Sequence, residues 1–204
     1  SEIKQLHHFM DDRTGKSLDT EKVFEARKEE LSEVRKHRVY KKVPIEQCIE
    51  RSGRRPVGTR WVDINKGDTL CPNYRSRLVA REFHTSDKPE WFAATPPGET
   101  LRIMMSKLAT NRKQKFMYAD VSRAYFYAPA RRPVFVKLPQ EDDEPGMCGR
   151  LNVSMYGTRD AAANWEECYA QHLIANGFIQ GRSSPCVFHH PTRKIRCVVH
   201  GDDF

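Results

Sequence analysis

The sequence predicts an α+β protein built on antiparallel strand pairs, and three observations carry that expectation. Thr59 to Ile64 alternates apolar and polar residues like a strand, Asn65-Lys66-Gly67-Asp68 turns it, and Asn73 to Phe83 runs back as its partner. A second pair, Pro185 to His190 and Ile195 to Val199, is joined by Pro191-Thr192-Arg193-Lys194, a connection of hairpin length. Between these pairs lie segments in which apolar residues recur at helical spacing.

In chain order, the first eighteen residues are expected to be loose. Residues 19–38 read as a charged helix capped by Asp19 or Thr20, with Phe24, Leu31 and Val34 on its packing face. A short helix starts near Pro44 and is followed by Gly53 and the basic residues Arg51, Arg54 and Arg55. Period-two placement puts Arg75, Arg77 and Arg81 on one face of the returning strand, where positive charge could meet a phosphate or remain a solvated polar face. After the break at Thr95-Pro96-Pro97-Gly98, Leu101, Met104, Met105 and Leu108 mark a core-facing helical stripe. Lys115 to Val121 and Arg132 to Leu138 read as strands. Between them, Ser122 to Ala128 forms a tight turn or short helix presenting Tyr125 and Phe126. Gln140 to Gly149 is an acidic loop, and Leu151 to Met155 a short strand. Residues 160–176 form a helix capped by Asp160 and stopped at Asn176-Gly177, with Trp165, Cys168, Tyr169 and Leu173 facing a core.

Composition narrows the function. Of 204 residues, 38% are hydrophobic and 30% charged; 35 Lys and Arg against 27 Asp and Glu leave a net charge of +8, which favours polyanionic partners. No apolar run approaches the roughly 18 residues that would span a bilayer, so no membrane partner is expected. Six scattered cysteines without a C-x-x-C pair argue against a zinc site and a disulfide framework, and point to a reducing, intracellular compartment. His7-His8 and His189-His190 lack spaced Cys or acidic partners and are not read as metal ligands. The start at Ser1-Glu2-Ile3-Lys4 has no apolar signal core and reads as a piece of something longer.

Two stretches carry the chemistry. Tyr118-Ala119-Asp120-Val121 and His200-Gly201-Asp202-Asp203 each place carboxylates where an apolar strand ends. Two such strand tips brought side by side make a hard, oxygen-rich pocket suited to Mg²⁺. Paired ions in such a pocket run phosphoryl and nucleotidyl transfer, one activating the attacking oxygen and the other steadying the leaving one. Gly201 suits a tight turn.

Across residues 41–204 the sequence resembles the reverse transcriptase domain of Ty1/copia-type retrotransposons. The blocks are Arg60-Trp61-Val62, Tyr74 to Arg81, Phe92-Ala93-Ala94-Thr95-Pro96 before Thr100-Leu101-Arg102, Asp120 to Phe126, Met155-Tyr156-Gly157 with Trp165, and Gly201-Asp202-Asp203. The resemblance implies a right-hand polymerase: fingers from the Arg-rich hairpin, and a palm made of an antiparallel sheet with helices on one face. Residues 1–40 would be an N-terminal helical extension and 41–204 incomplete fingers and palm, truncated at the C-terminus. It implies that Asp120 and Asp202 bind the metals, that Val121 lends its carbonyl, and that Asp203 is the neighbouring, less essential acid. Two Mg²⁺ ions are implied, with Mn²⁺ an alternative. Tyr125 resembles the steric gate against a 2′-hydroxyl, Arg75 or Arg77 the fingers residue on the triphosphate, and Arg159 keeps a positive charge beside the nucleotide. Gly157 and His200 fall in blocks that border template and primer. Partners implied are a primed RNA or DNA template, dNTPs, and the integrase and RNase H modules of a parent polyprotein.

The chain departs from the family's pattern in three places. His200-Gly201-Asp202-Asp203 stands for the usual Tyr-Val-Asp-Asp, Thr158-Arg159-Asp160-Ala161 for Leu-Lys-Gln-Ala, and Arg81-Glu82-Phe83 lacks the usual Gly. With no residues for a primer-gripping hairpin and thumb, the isolated piece is expected not to extend a primer. A non-catalytic nucleic-acid-binding relic and an RNA-templated RNA polymerase are the alternative readings; the bulk of Tyr125 argues against the latter.

Overall fold

Residues 8–83, 91–111 and 113–204 are described by the computed structural model. They form a mixed α/β architecture of four α-helices and four small antiparallel sheets, in place of one continuous sheet. The chain divides into two compact units, the described parts of Ser1–Thr85 with Ala130–Arg159, and of Ser86–Pro129 with Asp160–Phe204. Among the described residues, no helix is long and apolar enough to cross a membrane. His7 lies outside the described residues.

The first unit opens with β1 (Phe9–Met10) paired to β2 (Ser17–Leu18), so the expected loose start is ordered from Phe9 onward. The cause is Asp11, whose buried carboxylate accepts N–H bonds from Arg13, Thr14 and Asn65, each at 2.8 Å. These donors, Asn65 foremost, hold its pKa down at about 2 against the upward push of burial. A tether to Asn65 is invisible to local periodicity, which is why the sequence reading missed it.

Helix α1 (Thr20–Lys36) begins where the Asp19 carboxylate accepts the Lys22 N–H at 3.0 Å. It buries Val23, Ala26, Glu30, Leu31 and Val34; the expected Phe24 stays 42% exposed, with Phe9 edge-on to its ring. β3 (Tyr40–Pro44), which the sequence did not disclose, leads into α2 (Ile45–Ser52), and Gly53 ends that helix at a φ of +66°.

The arginine hairpin forms as expected from β4 (Thr59–Asn65) and β5 (Tyr74–Ala80), registered Thr59 on Ala80 through Asn65 on Tyr74. Ser76, Leu78 and Ala80 are buried, so Arg75 and Arg77 share the opposite face; Arg81 falls beyond the strand. Beneath the hairpin, buried Asp63 accepts from Ser76 Oγ and Arg27 Nη2, both at 2.6 Å. Arg27 in turn lies between the rings of Phe9 and Trp61.

β6 (Phe135–Val136) and β7 (Met147–Leu151) complete a sheet in the order β3-β7-β6. The strand expected at 151–155 therefore lies four residues earlier. Its Met-Cys-Gly-Arg-Leu run lacks alternation because Gly149 leaves room for the Tyr40 ring, 2.9 Å from where a Cβ would stand. Val43, Cys48, Phe135 and Cys148 form the core beside it.

In the second unit, α3 (Gly98–Thr110) carries the methionine stripe, yet none of its residues is buried. Of the stripe, Met104 lines an open groove of about 640 Å³ together with Ile103, Val187 and Ile195. A 3-10 turn, Ala124–Tyr127, buries Phe126 and leaves Tyr125 half-buried. Helix α4 (Ala161–Ala175) is followed by β8 (Ile179–Gln180), β9 (Val187–His190) and β10 (Ile195–Val198), in sheet order β10-β9-β8. Ala124, Ala128, Trp165, Tyr169, Ala170, Phe188 and Val199 make this unit's core.

Candidate active site

The two acidic stretches meet within the second unit. The expected strand from Lys115 to Val121 reduces to a few bridging bonds: among the described residues its backbone pairs with Asp202 to Phe204. Ala119 N–H donates to the Phe204 carbonyl at 3.0 Å and the Ala119 carbonyl accepts from Phe204 N–H at 2.8 Å, while Val121 N–H donates to the Asp202 carbonyl at 2.9 Å. Asp120 thereby bridges Asp203. His200 and Asp203 exchange backbone bonds at 2.9 and 3.1 Å around Gly201-Asp202, with Gly201 at a φ of +66°. Glycine at the first central position of a two-residue hairpin is the arrangement this turn requires.

Side chains of α4 fasten the hairpin. Trp165 Nε1–H donates to the Gly201 carbonyl at 2.8 Å, and the Phe204 ring lies edge-on to Trp165 and Tyr169, with centroids 6.4 and 5.7 Å away. The result is one ligand oxygen each from Asp120, Asp202 and Asp203, all within 4.8 Å of one another. Asp120 is exposed and the other two are half-buried. Three carboxylates without Cys or His form a donor set of hard oxygens, which fits Mg²⁺ or Mn²⁺.

Tyr118, which the sequence reading did not single out, donates its hydroxyl to Asp203 Oδ1 at 2.5 Å. That bond, followed by desolvation and the nearby acids, raises the phenol's pKa. The available signal was its position two residues before Asp120, the spacing that puts two side chains on one side of an extended run.

The other expected site residues divide between the units. Val121 and Tyr125 pack half-buried on the core that holds Trp165, and His200 is exposed. Arg75, Arg77, Gly157 and Arg159 belong to the first unit. There the Arg77 guanidinium lies 4.8 Å over the Tyr156 ring, and Ala80 N–H bonds to the Tyr156 carbonyl at 2.7 Å. Arg159 N–H donates to Glu82 Oε2 at 3.0 Å, and Glu82 also takes both Nη atoms of Arg132. Glu82, noted in the sequence only as a departure, is thus a local hub.

Asp160 corrects an expectation. It stands at the N-cap position of α4 but its side chain makes no capping bond. Its carboxylate is buried and accepts from Asn164 Nδ2 at 3.0 Å.

Paired acidic turns on a mixed α/β scaffold define a class, and the match of residues 45–203 decides it: this chain belongs to the reverse transcriptase (RNA-dependent DNA polymerase) family. Its ancestry is that of the RNA-directed DNA polymerases of Ty1/copia-type elements. It is similar to the retrovirus-related Pol polyprotein from transposon TNT 1-94 of Nicotiana tabacum, 25% identical over 193 residues, covering 87% of this chain and 14% of that protein. It is also 25% identical over 140 residues to the Pol polyprotein from transposon RE1 of Arabidopsis thaliana, covering 65% of this chain and 10% of the relative. The same identity holds over 175 residues of the transposon Ty1-BL Gag-Pol polyprotein of Saccharomyces cerevisiae, 83% of this chain and 10% of the relative. The chain thus spans about a tenth to a seventh of the length of these relatives.

Proposed function

We propose that the chain carries the nucleotidyl-transfer site of a copia-type Pol polyprotein, with residues 41–204 as fingers and palm and 1–40 as an extension. The observation that carries the reading is the convergence of Asp120, Asp202 and Asp203, from segments far apart in sequence, within 4.8 Å. Asp120, Asp202 and the Val121 carbonyl would hold two divalent ions, Mg²⁺ or Mn²⁺, with Asp203 alongside. When bound, these supply charge neutralisation at the phosphates and a more nucleophilic 3′-oxygen.

The chain's own residues bind and orient. Arg75, Arg77 and Arg159 take the dNTP triphosphate through charge-assisted hydrogen bonds. Tyr125 fills the space beneath the sugar and leaves no room for a 2′-hydroxyl. Gly157 and His200 border the template and primer. With the primer 3′-hydroxyl in line, its oxygen bonds to the α-phosphorus as the bond to pyrophosphate breaks, the hydroxyl proton passes to water, and positioning supplies most of the acceleration. The same reading puts the protein inside the cell, with integrase and RNase H modules in its parent, and makes the isolated piece inactive.

The test compares the parent polyprotein with its Asp120→Ala variant on a primed RNA template, with deoxy- and ribonucleotides in parallel. We expect deoxynucleotide incorporation to fall at least about a hundredfold while template binding is kept. Unchanged incorporation would leave a nucleic-acid binder without catalysis, and a preference for ribonucleotides would make it an RNA-templated RNA polymerase.

A further inference from the structure

We propose that Tyr118 is a positioning residue that holds Asp203 and competes with a divalent cation for it. This rests on reading the three acids as a cation site. The phenol donates to Asp203 Oδ1 at 2.5 Å, inside the range of a charge-assisted O–H···O⁻ bond. An oxygen that accepts such a bond has less electron density to offer a cation. The acid so engaged is one of three whose ligand atoms lie within 4.8 Å of one another.

Like charges at this separation repel, and a single neutral donor on one of them relieves part of that repulsion when no cation is present. Tyr118 is 62% exposed, so its ring can swing away without opening the core. Asp203 is restrained by backbone bonds to His200, which leaves its side chain as the freedom that the phenol takes up. Asp203 therefore has two partners in turn: the Tyr118 hydroxyl when the site is free of cation, and the cation when it is loaded. Asp120 and Asp202 then form the standing part of the site, and Asp203 joins on loading.

The experiment is a Mn²⁺ titration of the 204-residue chain, followed by electron paramagnetic resonance. Wild type, Tyr118→Phe, Asp203→Asn, the double variant and Asp120→Ala are compared. Removing the hydroxyl is expected to tighten Mn²⁺ binding about threefold to tenfold, the reach of one exposed charge-assisted hydrogen bond. The gain disappears in the Asp203→Asn background. As a second readout, Mg²⁺ saturation shifts the ¹³Cζ resonance of Tyr118 in wild type, and the shift is lost in Asp203→Asn.

Equal or weaker binding by Tyr118→Phe, with binding still abolished by Asp120→Ala, overturns the competition and leaves the cation site standing. Absence of any Mn²⁺ binding sensitive to Asp120→Ala overturns both. The two failures are therefore distinguishable.

Discussion

Gly157 occupies a position where no side chain has room. At a φ of +81°, a Cβ there would stand 2.0 Å from the Ala80 carbonyl oxygen and 2.6 Å from Val79 Cγ1. The close approach lets Ala80 and Glu82 reach the Tyr156 and Gly157 carbonyls, fastening the end of β5. Gly157→Ala should lose about 3 kcal/mol or more, from left-handed strain together with overlap against backbone. Urea unfolding checks this, the expected result being a lower midpoint with an unchanged slope. The resemblance alone put Gly157 beside template and primer; its packing duty could not be read from sequence, because Ala80 is far away along the chain. Asp160 teaches the same lesson. Its position before a helix suggested a cap, but burial beside Asn164 took its carboxylate elsewhere.

Among the elements, α4 links the core to the acids. The Trp165 indole reaches the Gly201 carbonyl while its ring packs with Tyr169 and Phe204. Trp165→Phe removes the donor and leaves a small void, so stability should drop by about 1–3 kcal/mol. Hydrogen exchange at the Asp203 and Phe204 amides, which bond to His200 and Ala119, should rise more than at β9, separating a loosened hairpin tip from general destabilisation. Elements of this kind were legible where the signal was local: the cap of α1, the periodicity of α4, and the turn between β4 and β5. The two-residue strands β1, β2 and β8 are too short to show alternation, β3 pairs with the remote β7, and β7 lies four residues before its expected place because Gly149 breaks its alternation. The stripe on α3 was read correctly as helical and wrongly as buried. Spacing states which residues share a face, but not whether anything covers it.

At the scale of the molecule, net charge and its placement govern the encounter with polyanions. With 35 basic against 27 acidic residues, and Arg75 and Arg77 sharing one face of the hairpin, the proposed binding of a nucleic-acid template should weaken log-linearly with salt. Arg75→Ala should make that slope shallower by about one unit if the residue neutralises one phosphate, as fluorescence anisotropy across a salt series would measure. The family was legible because the acids and the arginine hairpin lie in short, ordered blocks. The meeting of the acids was only expected from sequence, since it is set by closure across about 80 residues, whose cost no local pattern records.

That closure has a temporal side. On a ribosome working at about 5–20 residues per second, Asp120 is made roughly 4–16 s before Asp202 and Asp203. During that interval Asp120 lacks its two carboxylate neighbours. The Gly201 turn docks through Trp165 and Phe204. Assembly of the acidic cluster is therefore tied to maturation of the apolar core beneath it, and a half-made chain lacks the grouping of three carboxylates.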